Sequence, residues 1–237
     1  MLWREVGRVQ QSGEVVYLVD DDISVREAIT DLLVTLKLAV ISFESAESFL
    51  RHKRVDTSAC LILDLQLPEM NGIELQTLLG QTTNLPVIFI TAHGDVPSSV
   101  RAMKGGAKEF LTKPVDPKVL MAAVHAALKL NRDTRARHAD MLSLHNRVSL
   151  LTPRERQVLP LLVSGYLNKQ VAATLGIAEV TVQIHRGRIM HKMAVASFAD
   201  LVRMCDLIGI PGGASRRLSR APAEVPPGLL RGPDGIE

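Results

Sequence analysis

Residues 59–72, ACLILDLQLPEMNG, decide the fold. The first five are apolar without alternation, the pattern of a short strand covered on both faces. A single carboxylate, Asp64, follows at once, and Leu67–Gly72 then supplies the proline, asparagine and glycine of a loop. The same arrangement, an apolar run ending on a polar group, recurs along the chain. Val15–Val19 (VVYLV) ends in Asp20, Asp21 and Asp22; Pro86–Ile90 (PVIFI) ends at Thr91; Glu109–Thr112 ends at Lys113-Pro114; Ala39–Phe43 supplies one further strand. Helix-like stretches lie between these runs. Ser24 with Glu27 reads as a capping box, Ser45 as a cap for a helix through Leu50, and Asp116-Pro117 as a cap with proline at the first helical position. Further helices are expected up to about residue 79 and over 96–105, with Met103 in the core. Five strands separated by five helices predict an α/β fold, a five-stranded parallel sheet with helices on both faces. In such sheets ligands bind beyond the carboxyl ends of the strands, where the strand order reverses. Asp20, Asp21, Asp64, Thr91 and Lys113 all fall at such ends.

That convergence has a chemistry. Clustered carboxylates repel one another unless a cation joins them, and Mg²⁺ prefers carboxylate oxygens. With Mg²⁺ held by Asp20, Asp21 and Asp64, the Asp64 carboxylate is placed to attack a phosphoryl group. Thr91 is placed to donate to a phosphoryl oxygen and Lys113 to pair with another. Aspartate-nucleophile hydrolases carry a second aspartate two positions after the first. Gln66 stands there, which argues against a phosphatase. His93, close after Thr91, reads as a loop residue without a catalytic role.

The remainder has a different character. Residues 14–117 carry 15 acidic and 9 basic residues, whereas 150–210 carry 7 basic and 4 acidic ones. An acidic first part suits a divalent cation, and a basic later part suits a polyanion. Residues 131–149 read as a helical linker. Thr152-Pro-Arg-Glu155 is a second capping box, opening a set of short helices at about 153–164, 168–175, 179–193 and 197–207. Gly176 stops the second of these, so that 168–193 reads as two helices joined by a tight glycine turn, the geometry that sets a recognition helix into the DNA major groove. On that second helix Val180, Ile184 and Ile189 are expected to face inward, and Thr181, Gln183, Arg186, Gly187 and Arg188 outward. Gln183 is suited to adenine and Arg186 to guanine. After Ile210 the Pro-, Gly- and Arg-rich stretch 211–237 is expected to be disordered. Cys60 and Cys205 lack metal-site spacing and read as buried free thiols. The start, MLWREVGRVQQSGEVV, has no apolar signal-peptide core, and no run approaches the ~20 apolar residues of a membrane helix. A cytoplasmic protein with no membrane partner is expected.

The segments VYLVDDD, LILDLQLPEMNG, VIFITAHGD and AKEFLTKPVD resemble the blocks of response-regulator receiver domains, across about residues 14–130. The stretch from Leu151 to Met193, with FADLVRM beyond it, resembles a LuxR-type helix-turn-helix domain over about 150–210. Together they are similar to two-component regulators of the NarL/FixJ type, and TAHGDVPSSVRAMKGGA resembles the FixJ branch. The resemblance implies a flavodoxin-like (βα)5 receiver beside a small all-α DNA-binding domain. It implies Asp64 as phosphoacceptor, the Gln66 backbone carbonyl as a further Mg²⁺ ligand, Thr91 and Phe110 as switch residues, and a cis Lys113-Pro114 bond. It also places Thr181, Gln183, Arg186 and Gly187 near bases or backbone, and makes Thr152, Lys169 and Arg188 phosphate contacts. Leu167 departs from the family's small polar residue or proline at the start of the first of the paired helices, and Asn168 is the substitute cap. The partners implied are a sensor histidine kinase, promoter DNA and RNA polymerase, with homodimerisation on phosphorylation; the last helix matches the family's dimerisation helix and also suits a cover for the helix-turn-helix core. The only enzymatic activity expected is Mg²⁺-dependent phosphorylation and dephosphorylation of the receiver itself.

Overall fold

The computed structural model describes residues 13–210 apart from Glu69 and His93. The loop reading of His93 and the expected disorder of 211–237 lie outside the described residues. The chain divides into two compact units, and the division falls after His138, inside a helix that runs from Pro117 to Ser149.

In the first unit the order is β1 (Val15–Val19), α1 (Ile23–Thr35), β2 (Ala39–Phe43), α2 (Ala46–Arg51), β3 (Ala59–Asp64), α3 (Gly72–Thr82), β4 (Val87–Thr91), α4 (Val96–Lys104), β5 (Glu109–Thr112) and α5 (Pro117–Ser149). The five strands are parallel, in the order β2-β1-β3-β4-β5. Alternate residues feed two cores. Tyr17, Leu61, Leu63 and Phe89 pack with Phe49 of α2, Leu75 and Leu79 of α3 and Ala102 of α4. Leu18, Cys60, Ile62 and Ile88 pack with Ile29 and Leu33 of α1 and Leu120, Val124 and Leu128 of α5. The continuous apolar runs are needed because both faces are covered.

Two local readings change, the cap of α1 and the place of Met103. Helix α1 begins at Ile23, and its cap is Asp22, whose carboxylate accepts from Ser24 N–H at 2.8 Å and Val25 N–H at 3.4 Å. A carboxylate that satisfies two orphan amides outcompetes a serine two residues later. Met103 is exposed, because the core contact of α4 is Ala102. Residues 131–149 continue α5 without a break. Within α5, the buried side chain of Asn131 accepts from Ala59 N–H and donates to Asn84 C=O, both at 3.0 Å, and Arg132 and Arg135 pair with Glu14 and Asp56.

The second unit contains α6 (Pro153–Val163), α7 (Asn168–Leu175), α8 (Glu179–Lys192) and α9 (Phe198–Leu207) around Val158, Leu162, Val171, Val182, Ile189, Met193, Leu201 and Cys205. Gly176 ends α7 at φ +64°, a left-handed turn that favours glycine. Leu167, not Asn168, holds the cap position of α7. It has no side-chain acceptor, and Gln170 Oε1 instead accepts the Leu167 N–H at 2.8 Å. The Thr152 box forms, and Glu155 is buried within it. Its Oε2 accepts from Thr152 N–H at 2.8 Å and from Lys192 Nζ at 2.7 Å. Both thiols are buried and free, one in each unit. Burial pushes Cys60 up to about 12 and Cys205 to about 11. Among the described residues, no helix is long and apolar enough to cross a membrane.

Candidate functional site

Strand register assembles the acidic pocket. Val19 pairs with Leu63, so Asp20 and Asp64 follow side by side. Asp64 pairs with Ile90, which puts Thr91 one residue further along, and Thr91 pairs with Thr112, which puts Lys113 one further still. This edge is the reversal between β1 and β3, where the chain crosses from one half of the sheet to the other.

Lys113 Nζ lies 2.7 Å from Asp20 Oδ2 and 2.7 Å from Asp64 Oδ2. It donates a well-formed hydrogen bond to Asp64. Its approach to Asp20 is a close ion pair with poor alignment, which leaves the buried Asp20 Oδ2 without a proper donor. The other oxygens are held by the backbone. Asp20 Oδ1 accepts from Asp22 N–H at 2.9 Å, and Asp64 Oδ1 accepts from Gln66 N–H at 3.0 Å. Burial raises the pKa of Asp20, and its contacts with Lys113 and the Asp22 amide offset this only in part. For Lys113 burial acts downward, but the two carboxylates outweigh it and the pKa is raised. Lys113 N–H donates to Thr91 C=O at 2.7 Å, and Lys113-Pro114 is cis.

Carboxylate oxygens of Asp20, Asp21 and Asp64 lie within 4.8 Å of one another, with Asp21 exposed and the other two buried. Among the described residues, two buried acids share a single lysine, one buried oxygen lacks an aligned donor, and all available ligands are hard oxygens. That set fits Mg²⁺. Gln66 is exposed beside it. Thr91 is fully buried, and Phe110 is half-buried with its ring 6.2 Å from that of Phe89.

Two glycines near this pocket escaped the sequence reading. A Cβ on Gly72 would stand 2.4 Å from the Asp64 carbonyl oxygen, so the start of α3 can lie against the Asp64 backbone only without a side chain. A Cβ on Gly94 would stand 3.2 Å from the Phe110 ring and 3.7 Å from the Thr91 methyl, so glycine there gives that ring its room. The available signal was a glycine just after a loop that itself follows a strand end.

The second candidate surface is α8, and here the facing differs from expectation. Val180 is 61% and Ile184 49% exposed; Val182, Ile189 and Met193 are the buried positions. At 3.6 residues per turn, Val180, Ile184, Gly187 and His191 fall in one outward line, flanked by exposed Gln183 and Arg188. Thr181 is half-buried at the edge of this face. Arg186 is three residues from Ile189 and four from Val182, hence on the inward side. It is half-buried with its guanidinium 4.5 Å over the Phe198 ring. An intramolecular partner thus stands where an outward-pointing side chain was expected. The reversal has a simple cause, since α8 is oriented by what it packs on and two of its aliphatic residues are left outside. Lys169 and Thr152 are exposed, and the Thr152 Oγ1 accepts from Glu155 N–H at 3.3 Å.

The comparisons with known proteins follow the same division. Residues 16–125 match the response regulator receiver domain, and residues 149–205 match the bacterial regulatory proteins of the luxR family. Nodulation protein W of Bradyrhizobium diazoefficiens is 44% identical over 88% of this chain and 93% of its own length. Transcriptional regulatory protein FixJ of Rhizobium meliloti is 40% identical over 80% and 93%. The solved structure of response regulator StyR superposes with a TM-score of 0.77 at 46% identity, over 82% of this chain and 99% of that one. A flavodoxin-like receiver fold beside a LuxR-type helix-turn-helix defines a phosphorylation-dependent transcription regulator. The chain belongs to the two-component response regulators of the NarL/FixJ type.

Proposed function

We propose that Asp64 is the phosphoacceptor and that a sensor histidine kinase in the cytoplasm supplies the phosphoryl group. The observation that carries this reading is the convergence of Asp20, Asp64 and Lys113 at the reversal point of the sheet, with Lys113 Nζ 2.7 Å from each carboxylate. An oxygen of Asp64 attacks the phosphorus of a phosphohistidine. The new O–P bond forms as the N–P bond breaks, and its electron pair returns to the imidazole. The Gln66 amide and Lys113 hold the carboxylate in place, and Lys113 and Thr91 take the oxygens of the transferred group. Asp20, Asp21, Asp64 and the Gln66 carbonyl would hold Mg²⁺, which when bound neutralises charge on the phosphoryl oxygens. The same pocket catalyses its own dephosphorylation and no other reaction.

Thr91 and Phe110 serve as the switch. Residues 14–130 act as the receiver, 131–149 as the linker and 150–210 as the DNA-binding domain. Phosphorylation favours a homodimer, which binds promoter DNA and acts on RNA polymerase. Thr152, Lys169 and Arg188 contact phosphates, and Thr181, Gln183 and Gly187 lie against the groove. Arg186 acts from the inward side of α8 through Phe198. The test is binding of selected promoter duplex with and without a small-molecule phosphoryl donor. The donor tightens binding by the wild-type chain and leaves Asp64→Asn unchanged; equal responses would overturn the reading.

A further inference from the structure

The outward line of α8 is unusual for a surface helix. Two of its residues, Val180 and Ile184, are branched aliphatics at 61% and 49% exposure, and a third is Gly187. Among the described residues, nothing asks for that glycine. A Cβ there would meet no atom within 4 Å, and its φ is not positive. Glycine in mid-helix costs about 1 kcal/mol against alanine. The bare Cα therefore makes sense toward something outside, where it lets the helix come close. Val180 and Ile184 flank that gap, with the polar Gln183 and Arg188 to either side.

On the proposed reading, the outside surface is the floor of the major groove, and residues 150–210 carry the net positive charge that suits it. The major-groove floor offers one apolar group, the C5 methyl of thymine. We propose that Val180 and Ile184 determine sequence preference by packing on thymine methyls, with Gly187 permitting the close approach. This deepens the DNA-binding reading above and rests on it. Gln183 supplies polar readout beside the apolar strip. Arg186, stacked on Phe198, supplies none.

The test uses the full chain, phosphorylated with a small-molecule donor. Sites are selected from random duplex, and each thymine of a selected site is then replaced singly by deoxyuridine, which removes only the methyl. At one or two positions in each half-site, affinity falls about four-fold per methyl, the worth of one buried methyl-sized group. In Ile184→Ser or Val180→Ser the penalty at the corresponding position vanishes, while far-UV circular dichroism stays unchanged because both side chains are exposed. Uracil tolerated at every position would overturn the inference, as would a penalty that persists in full in both variants. Failure to select any sequence would overturn the proposed function together with this inference, whereas tight selective binding without a uracil penalty overturns this inference alone.

Discussion

Each unit buries a carboxylate against a lysine, with opposite electrostatic outcomes. In the second unit, Glu155 has Lys192 and the Thr152 amide to itself, and its pKa falls although burial acts to raise it. In the first unit, Asp20 and Asp64 share Lys113, one buried oxygen lacks an aligned donor, and burial raises the pKa of Asp20. The difference is stoichiometric. One acid, one cation and one amide make a closed structural site. Two acids on one cation leave an excess of negative charge that a further cation would relieve.

Substitutions can break or sharpen this contrast. The largest effect is expected from Asp64→Asn, which on the proposed reading abolishes formation of a hydroxylamine-labile phosphoprotein with either kinase or small-molecule donor. Glu155→Ala leaves phosphorylation intact and destabilises the second unit by about 2–3 kcal/mol, as expected when a buried acceptor of charged and backbone donors is removed. Hydrogen exchange of the α6–α9 amides would measure it, and unchanged protection would refute the structural role. Asp20→Asn acts in the reverse sense. It relieves the excess charge and stabilises the metal-free first unit by about 0.5–2 kcal/mol while impairing phosphorylation, the trade expected where function is built from strain. A urea midpoint that falls would contradict this.

The pH dependence gives a smaller and signed test. The Glu155 pKa lies below its ordinary 4.5 in the folded state, so its contribution is fully present above that value and is lost as pH falls through the folded-state value. Glu155→Gln flattens the acid limb of the second unit's stability, read from the same amides between pH 6 and 3. The smallest effect is expected from Arg186→Ala, about 0.5–1 kcal/mol for the lost stacking on Phe198. It should leave the salt dependence of duplex binding unaltered. A slope shallower by about one would show instead that Arg186 contacts a phosphate.

The two surfaces also differ in how far the sequence reveals them. Asp20, Asp64, Thr91 and Lys113 are readable because each ends an apolar run, and parallel strands of nearly equal register must bring those ends together. The facing of α8 is not readable in that way. Val180, Ile184 and Ile189 look like a core stripe, yet packing rotates the helix so that Val182, Ile189 and Met193 are buried. The Thr152–Glu155 box is local and legible, but its Lys192 partner is 37 residues away and carries no local signal. Likewise, Asp22 and Ser24 are both competent caps, and only the geometry of two amides on one carboxylate decides between them. The reach of Asn131 to Ala59 and Asn84, which fastens α5 to the sheet, is invisible at the level of helical pattern.

The placement of the two thiols has a practical consequence. The chain contains two cysteines, one sealed in each unit and neither close to being ionised at neutral pH. A thiol reagent can react with either only when the surrounding core opens. The rate at Cys60 therefore clocks opening of the first unit and the rate at Cys205 that of the second, in the unaltered protein. Mass spectrometry of the labelled peptides resolves the two clocks in a single experiment, and running it with and without a phosphoryl donor reports which unit the phosphoryl group tightens.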